Sequence, residues 1–499
     1  MGKIIRNPLE ASEKEYDLII IGGGIYGVSL ALVAAQGGLR ALLLERDDFG
    51  GATTFNSLRI VHGGLRYLQK LDLHRFFESV SERRWFFQHF PGLVEPIPCL
   101  MPLYGEGLRK PSIFRVALWL NDLLSANRNR KVPPEYRLHS GKLISAEEVK
   151  QVFPLVDEQG LKGGAVWYDG SMADSQLIIM EMLKWACSLG ATALNYCEAK
   201  ELIIENGIVR GVVARDESSS SFFRFRGKTV VNTAGPWCRQ LGKEFDKDYP
   251  ELFHSSIAWN LLFDREALSD HALAITPRLP GAQTYFLRPW KGKLFAGTIH
   301  EPWDRVEANP KPAEASIQNF IANLNHAIPN LNLKQQEIIR IYSGLLPAKR
   351  EGTNELAVRE VILNHGENGG PKNFYSVSGV KFTTARLVAE KTLRKIYPDF
   401  KVDPTHESTV ITPDRQPNIR RIDSFDWQPV QSGNGWITDI QQIIESEAVV
   451  HLDDLVFRRT GIGDNPARAL EMAPQIQALF TWDEEQKQRE LQRLKHHLI

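Results

Sequence analysis

The sequence predicts an α/β protein with a Rossmann-like dinucleotide-binding domain, an antiparallel-sheet domain and a C-terminal helical domain. Three observations predict this fold class. A strand–glycine–helix–strand unit occupies residues 16–45, strand-like segments recur between residues 191 and 298, and residues 439–494 are charged and helical in pattern. The strand-like segments after residue 253 indicate a separate antiparallel sheet, and hence a substrate domain.

The nucleotide-binding unit starts with an apolar strand that runs directly into Gly22, Gly24 and Gly27, the three glycine positions of a G-x-G-x-x-G motif. Gly22 allows the tight turn, Gly24 lets the backbone approach a pyrophosphate, and Gly27 lets the next helix lie close to the sheet. The N-terminus of that helix offers N–H groups to phosphate. The second strand ends at Glu45, whose carboxylate can accept hydrogen bonds from a ribose. The order of these parts predicts a bound dinucleotide.

Length and charge limit the kinds of protein that this chain can be. Its 499 residues are enough for two or three domains and a large core. Lys+Arg and Asp+Glu both number 60, so the formal net charge is zero, and nothing favours nucleic acid as a partner. A local basic pocket for a phosphorylated substrate is compatible with this, because net charge does not describe local fields.

Cysteine and histidine usage predicts a reducing compartment and no metal site. The four cysteines form no C-x-x-C pair, and the thirteen histidines show no metal-ligand spacing. The N-terminal segment is charged and lacks the apolar core of a signal peptide, and no apolar stretch is long enough to span a bilayer. We therefore expect a cytoplasmic protein.

The most lipid-like segment is residues 113–124. An apolar segment of that length is more often a buried or interface helix than a membrane element. Peripheral contact with the inner face of a membrane is the alternative.

The order of predicted elements divides the chain into seven segments. Asn206 and Gly207 form a strong hairpin turn within a strand meander. The predicted segments are 16–100 for the first part of the nucleotide-binding domain, 101–190 for a helical segment of the substrate domain, 191–250 for the meander and return strand of the nucleotide-binding domain, 251–340 for the antiparallel substrate domain, 341–398 for the last part of the nucleotide-binding domain, 399–435 for a linker and 436–499 for the C-terminal helical domain.

A second segment suited to the nucleotide is residues 230–237, a buried strand that ends in the small residues Ala234 and Gly235. Small residues let the backbone lie close to a ligand. Taken alone, the same pattern is that of an ordinary strand end.

A third such segment is residues 377–386, where a strand breaks at Gly379 and a helix begins near Thr383. The helix N-terminus favours negative charge in a ligand, and Lys381 adds a cation. The alternative is a solvated lysine at a helix start, which is common for an isolated lysine.

The fourth segment, residues 57–67, carries the most chemistry. His62 can accept or donate a proton near neutral pH, Gly63 lets the backbone lie against a flat ring, Arg66 can bind a phosphate or carboxylate bidentately, and Tyr67 offers a hydroxyl. The alternative is a glycine-containing turn with a surface arginine.

Together these segments resemble the FAD-dependent glycerol-3-phosphate dehydrogenase family, within the D-amino-acid-oxidase-like flavoprotein superfamily. HGGLRYL at 62–68 and SGVKFTTAR at 378–386 are specific to that family, whereas GGGIYG is shared by many flavoproteins. The other matching segments are IIIGGGIYG at 19–27, VVNTAGPW at 230–237, YSGLLP at 342–347 and HLDDLVFRRTGIG at 451–463, so the likeness spans nearly the whole chain.

The resemblance implies a Rossmann-like FAD domain and oxidation of the secondary alcohol of glycerol 3-phosphate to dihydroxyacetone phosphate. It implies a small anionic substrate and a quinone or oxygen as the electron acceptor, and it leaves a homodimer and peripheral membrane contact open. Its implied cofactor contacts are Gly22, Gly24, Gly27, Glu45, Thr53, Thr54, Ser57, Arg59, His62, Gly63, Ala199, Ala234, Gly235, Gly379, Lys381 and Thr383, and its implied catalytic and substrate residues are His62, Arg66, Tyr67, Arg359 and Lys381.

Two departures from the family pattern concern the substrate. The family has an arginine where this chain has Leu346, and a Lys-Gly-Ser-His run where this chain reads SIAWN at 256–260. Lys349 and Arg350 are close enough in sequence to substitute for that arginine. Three alternatives therefore stay open: another hydroxy acid, sugar-derived alcohol or amine as substrate, a flavin-binding protein without catalysis, and a plain NAD-binding dehydrogenase.

Overall fold

A computed structural model describes residues 2–68, 71–105, 107–413, 416–420, 425–427 and 435–498. The helices are α1 (Pro8–Ser12), α2 (Ile25–Gln36), α3 (Leu65–Leu68), α4 (Leu73–His89), α5 (Pro111–Leu124), α6 (Ala146–Val152), α7 (Ser175–Ser188), α8 (Cys238–Phe245), α9 (Glu314–Ala327), α10 (Ala385–Ile396), α11 (Gly435–Ser446), α12 (Pro466–Gln477) and α13 (Glu484–Leu498). The strands are β1 (Glu15–Ile21), β2 (Ala41–Leu44), β3 (Ile60–Val61), β4 (Val94–Leu103), β5 (Lys142–Ile144), β6 (Gly163–Met172), β7 (Thr192–Leu194), β8 (Cys197–Glu205), β9 (Ile208–Asp216), β10 (Phe222–Asn232), β11 (Ser255–Glu266), β12 (Ala272–Ile275), β13 (Tyr285–Trp290), β14 (Lys293–Pro302), β15 (Ile338–Pro347), β16 (Val361–Asn364) and β17 (Phe374–Ser378).

The first sheet has the strand order β16-β17-β10-β1-β2-β7. The pairs from β17 to β7 are parallel, and β16 adds an antiparallel edge. The parallel strands are buried and apolar, since α2 and its neighbours α7 and α10 cover one face. The carboxyl ends of β1, β10 and β17 therefore lie side by side, which brings the segments after residues 21, 232 and 378 to one edge.

The predicted meander is β8 and β9 followed by the first half of β10. The sequence predicts separate strands at 222–226 and 229–232, but β10 is continuous through Gly227. A Cβ at Gly227 would lie 2.7 Å from the side chain of Ile19. Here glycine therefore serves close strand packing and does not break the strand.

The second sheet has the strand order β15-β11-β14-β13-β12-β4-β6-β3, with β5 paired to β6. Its pairs are antiparallel except β12 with β4, which confirms the predicted antiparallel sheet. Helix α9 covers one face, where Phe320 packs edge-on against Trp259 and Tyr285. The opposite face lines the large cavity between the two sheets.

Helix α5 is not buried in the chain, and its role as an interface helix stays a prediction. Only Phe114 and Leu118 of this helix are buried, against the second sheet. Val116, Trp119 and Leu123 are 63%, 64% and 56% exposed. No helix in the described part of the chain is long and apolar enough to cross a membrane.

The C-terminal helices α11 to α13 are present, as the sequence predicts, and their apolar cluster is continuous with Trp290, Phe295 and Tyr342 of the second sheet. A buried ion pair joins this unit to the nucleotide-binding domain, because both oxygens of Asp48 accept hydrogen bonds from Arg459 at 2.7 and 2.8 Å. Burial alone would raise the pKa of Asp48, but the charges of Arg459 and Arg458 hold it at about 2. Within the predicted linker 399–435, residues 414–415, 421–424 and 428–434 lie outside the described residues.

Candidate active site

A large cavity of about 1800 Å³ lies between the carboxyl edge of the first sheet and the open face of the second. Ligand pockets for small molecules are commonly about 300–1,000 Å³, so this cavity has room for a dinucleotide and a substrate together. The predicted site residues that line it are Gly22, Gly24, Glu45, Thr53, Thr54, Ser57, Arg59, His62, Arg66, Tyr67, Ala199, Ala234, Gly235, Gly379, Lys381 and Thr383.

The glycine turn after β1 is built for close backbone contact. Gly22 has a φ of +104°, and a Cβ there would lie 2.7 Å from the carbonyl oxygen of Thr233. A Cβ at Gly27 would lie 1.8 Å from the carbonyl oxygen of Gly22. Both positions therefore require glycine, and the turn presents the N-terminus of α2 to the cavity.

Glu45 is held by backbone at the end of β2. Its Oε2 accepts a hydrogen bond from the Gly23 N–H at 2.6 Å, and its Oε1 accepts one from the Asp47 N–H at 2.9 Å. Burial and the charge of Asp47 raise the pKa of Glu45 to about 7. The fixed carboxylate retains acceptor capacity toward the cavity, as binding of a ribose requires.

Tyr26 connects two segments that lie far apart in sequence. Its hydroxyl accepts a hydrogen bond from the Lys381 N–H at 3.0 Å and donates one to the Lys381 carbonyl at 2.9 Å. A Cβ at Gly379 would lie 2.0 Å from the ring of Tyr26. The Lys381 ammonium lies 4.1 Å from the centroid of the Tyr67 ring, so the lysine is held between the nucleotide segment and the HGGLRYL segment.

Ser57 and Arg59, which both line the cavity, carry buried polar atoms without a partner among the described residues. They are Oγ of Ser57, and Nε and Nη1 of Arg59. The Arg59 guanidinium lies 4.0 Å from the centroid of Trp290, so it cannot turn away into solvent. Buried donors of this kind predict a ligand that accepts hydrogen bonds. Together with the glycine turn and Glu45, they fit the pyrophosphate and ring edge of a flavin dinucleotide.

His62 lies in the cavity beside a buried acid. Its Nδ1 is 3.6 Å from Oδ2 of Asp169, and its side chain is 51% exposed. Oδ1 of Asp169 accepts hydrogen bonds from Arg83 and from the Gly63 N–H, both at 2.6 Å. Burial would raise the pKa of Asp169, but the nearby His62 and the charge of Arg83 outweigh burial and lower this pKa below its usual value. An ionised carboxylate beside Nδ1 leaves Nε2 of His62 as the nitrogen that can accept a proton.

The wall around Leu346 contains two basic side chains. Leu346, Lys349 and His300 all line the cavity, whereas Arg350 does not. The Lys349 ammonium lies 3.8 Å from a carboxylate oxygen of Glu355, and both side chains are more than half exposed. Of the two cations that the sequence offered as substitutes for the missing arginine, only Lys349 therefore reaches the cavity.

Three predicted site residues do not line the cavity. Gly27 supports the turn from behind, and Gly63 packs on Arg83, where a Cβ would lie 2.0 Å from Nη1. Arg359 has an exposed side chain, and its charge acts on Asp72 at the start of α4. The structure does not bring Arg359 together with the other substrate residues, and its role stays a prediction.

The structure adds two side chains that sequence reasoning missed. Asp169 is a buried acid in the apolar strand β6, and that polarity was its only signal. His300 lies near the end of β14, and no local pattern shows which face of the sheet it occupies. In the described residues, no group of three or more His, Cys, Asp and Glu side chains is arranged to hold a metal ion.

Comparison with known proteins places this geometry in a family. The family model described as FAD dependent oxidoreductase matches residues 17–421. A glycerol-3-phosphate dehydrogenase of Synechocystis sp. is 29% identical over 408 residues, which are 79% of this chain and 72% of that protein. An alpha-glycerophosphate oxidase of Streptococcus pyogenes is 32% identical over 340 residues, which are 67% of this chain and 54% of that protein.

Solved structures show the same fold. The glycerol-3-phosphate dehydrogenase of Bacillus halodurans, complexed with FAD, has a TM-score of 0.73 and 21% identity, and the match covers 98% of this chain and 95% of that one. The curated relatives are longer, since the matches cover between 54% and 72% of a dehydrogenase from Synechocystis sp., one from Bacillus subtilis and the oxidase from Streptococcus pyogenes. The family match identifies FAD as the cofactor.

Proposed function

The chain belongs to the FAD dependent oxidoreductase family, and on that basis we propose that it oxidises the secondary alcohol of glycerol 3-phosphate, or of a close analogue, to a ketone. The sequence predicts an FAD cofactor and an oxidoreductase, and the family match confirms both. These two features set the type of reaction. The relatives named glycerol-3-phosphate dehydrogenase and alpha-glycerophosphate oxidase support the substrate.

The observation that carries the proposal is the placement of the HGGLRYL segment. His62, Arg66 and Tyr67 line the same cavity as Gly22, Glu45 and the other residues that fit FAD. A proton acceptor and an anion-binding guanidinium thus lie together beside the cofactor site. An enzyme that oxidises an anionic alcohol needs both groups within reach of one bound molecule.

FAD, when bound, would supply the oxidising power for removal of a hydride from the carbinol carbon. The chain's own residues manage the proton and the charge. Nε2 of His62 takes the hydroxyl proton, and the Asp169 carboxylate beside Nδ1 stabilises the imidazolium that forms. This geometry favours His62 over Lys381 and a water, the other proton acceptors that the sequence leaves open, because Lys381 is turned toward the Tyr67 ring.

The substrate anion is assigned to Arg66. Its side chain is exposed to the cavity, and the described residues place no carboxylate in an ion pair with it. A guanidinium without an ionic partner can bind a phosphate group, because its planar N–H donors can form two parallel hydrogen bonds to phosphate oxygens.

Anaerobic reduction of the bound flavin tests the proposal. Glycerol 3-phosphate should bleach the visible flavin absorbance, whereas glycerol, which lacks the anion, should bleach it far more slowly. Rapid bleaching by another hydroxy acid or an amine, with none by glycerol 3-phosphate, would overturn the assignment of substrate.

A second candidate keeps FAD and changes the substrate to another hydroxy acid, a sugar-derived alcohol or an amine. The observation that favours it is Leu346, an apolar side chain on the cavity wall where the resemblance places an arginine. A panel of these compounds in the same flavin-reduction assay separates the two candidates. The variant Leu346→Arg sharpens the test, because it should lower the KM only for an anionic substrate.

The acceptor of the electrons is proposed to be a quinone or oxygen, and a quinone requires access to a membrane. Helix α5 supports such contact, since Val116 and Trp119 are exposed apolar side chains on the helix whose Phe114 lines the cavity. Lys110 and Arg115 are exposed on the same helix start and would favour anionic lipid. A homodimer stays open.

Vesicle sedimentation tests the membrane contact. The wild-type chain should sediment with vesicles of anionic phospholipid, and Trp119→Glu should release it. Phe222→Glu is the matched control, because Phe222 is 63% exposed on the meander, far from α5 in sequence. Equal sedimentation of the Trp119 variant would contradict the contact.

A further inference from the structure

The open face of the second sheet brings one histidine into the cavity. In the strand register, Ala258 of β11 is paired with His300 of β14 on one side and with Gly344 of β15 on the other. Directly paired residues project to the same face of a sheet, and all three line the cavity. Since the two neighbours have almost no side chain, the imidazole is the polar group of this row.

The surroundings of His300 leave part of its imidazole unused. Its Nδ1 is buried and has no hydrogen-bond partner among the described residues. The backbone carbonyl of the same residue accepts a hydrogen bond from Asn354 at 3.2 Å, so the strand at this point is fixed. A buried nitrogen without a partner at a cavity wall predicts contact with a bound molecule.

The charged groups near His300 come from three elements. Burial, followed by the positive charge of Arg66, lowers the pKa of His300 to about 4. Lys349, on the segment after β15, is engaged by Glu355. Glu301, the next residue on β14, accepts a hydrogen bond from Trp259 on the other face of the sheet. Among these charged groups, Arg66 therefore has the largest electrostatic effect on the imidazole of His300.

We propose that His300 contacts the anionic group of the substrate together with Arg66, and so supplies a polar contact that Leu346 and Ala258 do not provide. This rests on the proposed function, because it concerns the same cavity and an anionic substrate. An anion between the two side chains would cancel the field of Arg66 and accept a hydrogen bond from the imidazole. His300 thereby acts in substrate binding, while His62 handles the proton.

A role in binding predicts a particular kinetic pattern. Replacing His300 should raise KM for the anionic substrate and leave the limiting rate of flavin reduction within about threefold of the wild type, as expected when ground-state and transition-state binding are lost equally. Loss of a hydrogen bond to a charged group costs about tenfold to a hundredfold in affinity. His300→Gln, which keeps a hydrogen-bond donor, should recover part of the loss in His300→Ala.

The test uses the FAD-loaded enzyme and inorganic phosphate as the probe, so that it does not depend on turnover. Binding of phosphate should perturb the flavin spectrum, and in His300→Ala its dissociation constant should rise at least tenfold. His271→Ala is the matched control, because His271 is also a partly buried histidine whose pKa is lowered by burial, yet it does not line the cavity. It should bind phosphate as the wild type does.

The outcomes separate this inference from the proposed function. If glycerol 3-phosphate fails to reduce the flavin but phosphate binding still depends on His300, the substrate assignment falls and the anion contact stands. If glycerol 3-phosphate reduces the flavin and both His300 variants keep the wild-type KM and phosphate affinity, the contact is overturned. Absence of any phosphate binding to the wild type would also overturn it.

Discussion

Nδ1 of His62 lies 3.6 Å from Oδ2 of Asp169, on a carboxylate that is itself held by Arg83 and by the backbone of Gly63. His62 directly follows β3 and Asp169 lies on β6, and these strands are neighbours in the second sheet, so the contact is fixed by the pairing of two adjacent strands. It orients a half-exposed imidazole with a buried, ionised partner.

The variant His62→Asn should slow flavin reduction by about 10²- to 10⁴-fold, the usual range for loss of a general base. FAD content should not change, since His62 is half exposed. Rapid-mixing measurement of flavin bleaching gives the rate. His74→Asn, at a position that is 68% exposed and paired with Glu78, is the control, and equal rates for the two variants would remove His62 from the mechanism.

The variant Asp169→Asn should both slow flavin reduction and destabilise the fold. The substitution leaves the buried Arg83 guanidinium without its ionic partner, and removing one member of a buried pair costs about 3–5 kcal/mol. Denaturant unfolding measures the loss. Asp264→Asn, in an exposed pair with Lys293, should change the free energy of unfolding by less than about 1 kcal/mol. Equal free energies of unfolding for the two variants would mean that the ion pair of Asp169 with Arg83 does not stabilise the fold.

In the FAD-free protein, Glu45 should contribute a downward slope to the free energy of unfolding as the pH rises from about 4.5 to about 7, because its pKa is raised to about 7 in the fold and the folded state holds this proton longer than the unfolded state does. His89 and His300, whose pKa burial lowers to about 4, contribute slopes of the opposite sign, so the Glu45 contribution is obtained as the difference between the wild type and Glu45→Gln. The shift corresponds to at most about 3 kcal/mol, and water in the open cavity reduces it to about 1–2 kcal/mol. Urea titrations at pH 5, 6 and 7 measure it.

The variant Glu45→Gln should flatten that slope, because its amide does not titrate. It should also weaken FAD binding, since the ribose loses a charged acceptor. An unchanged pH slope in the variant would show that another group is responsible.

The variant Gly27→Ala should abolish FAD binding. The added Cβ would lie 1.8 Å from the carbonyl oxygen of Gly22, so the glycine turn must shift away from the pyrophosphate. Gly435→Ala is the control, because a Cβ there meets nothing within 4 Å. Bound flavin per chain is the readout, and a yellow Gly27 variant with full flavin content would contradict the assigned role of the turn.

Local patterns were enough to predict the parts of the site that are close in sequence. The turn at Gly22, the strand that ends at Glu45 and the His62 segment each depend on neighbouring residues, and the structure places them as expected. The contact of Tyr26 with Lys381 joins positions 355 residues apart, and no local pattern encodes it. The domain boundaries proposed from the sequence stay a prediction.

The register of the strands in the second sheet determines which side chains face the cavity, and local sequence patterns do not reveal that register. Whether Leu346 or His300 faces the cavity depends on pairing with β11, and a shift of one residue would turn both side chains to the other face. The length and apolar character of residues 113–124 favoured burial, but α5 packs on only one side. Burial of a helix is set by its tertiary neighbours, which its own sequence does not contain.

The most direct test of the central claim is a stoichiometric anaerobic titration of the purified yellow enzyme with glycerol 3-phosphate. We predict that one equivalent of substrate bleaches one equivalent of flavin and yields one equivalent of dihydroxyacetone phosphate. A flavin that keeps its colour in excess glycerol 3-phosphate would contradict the claim.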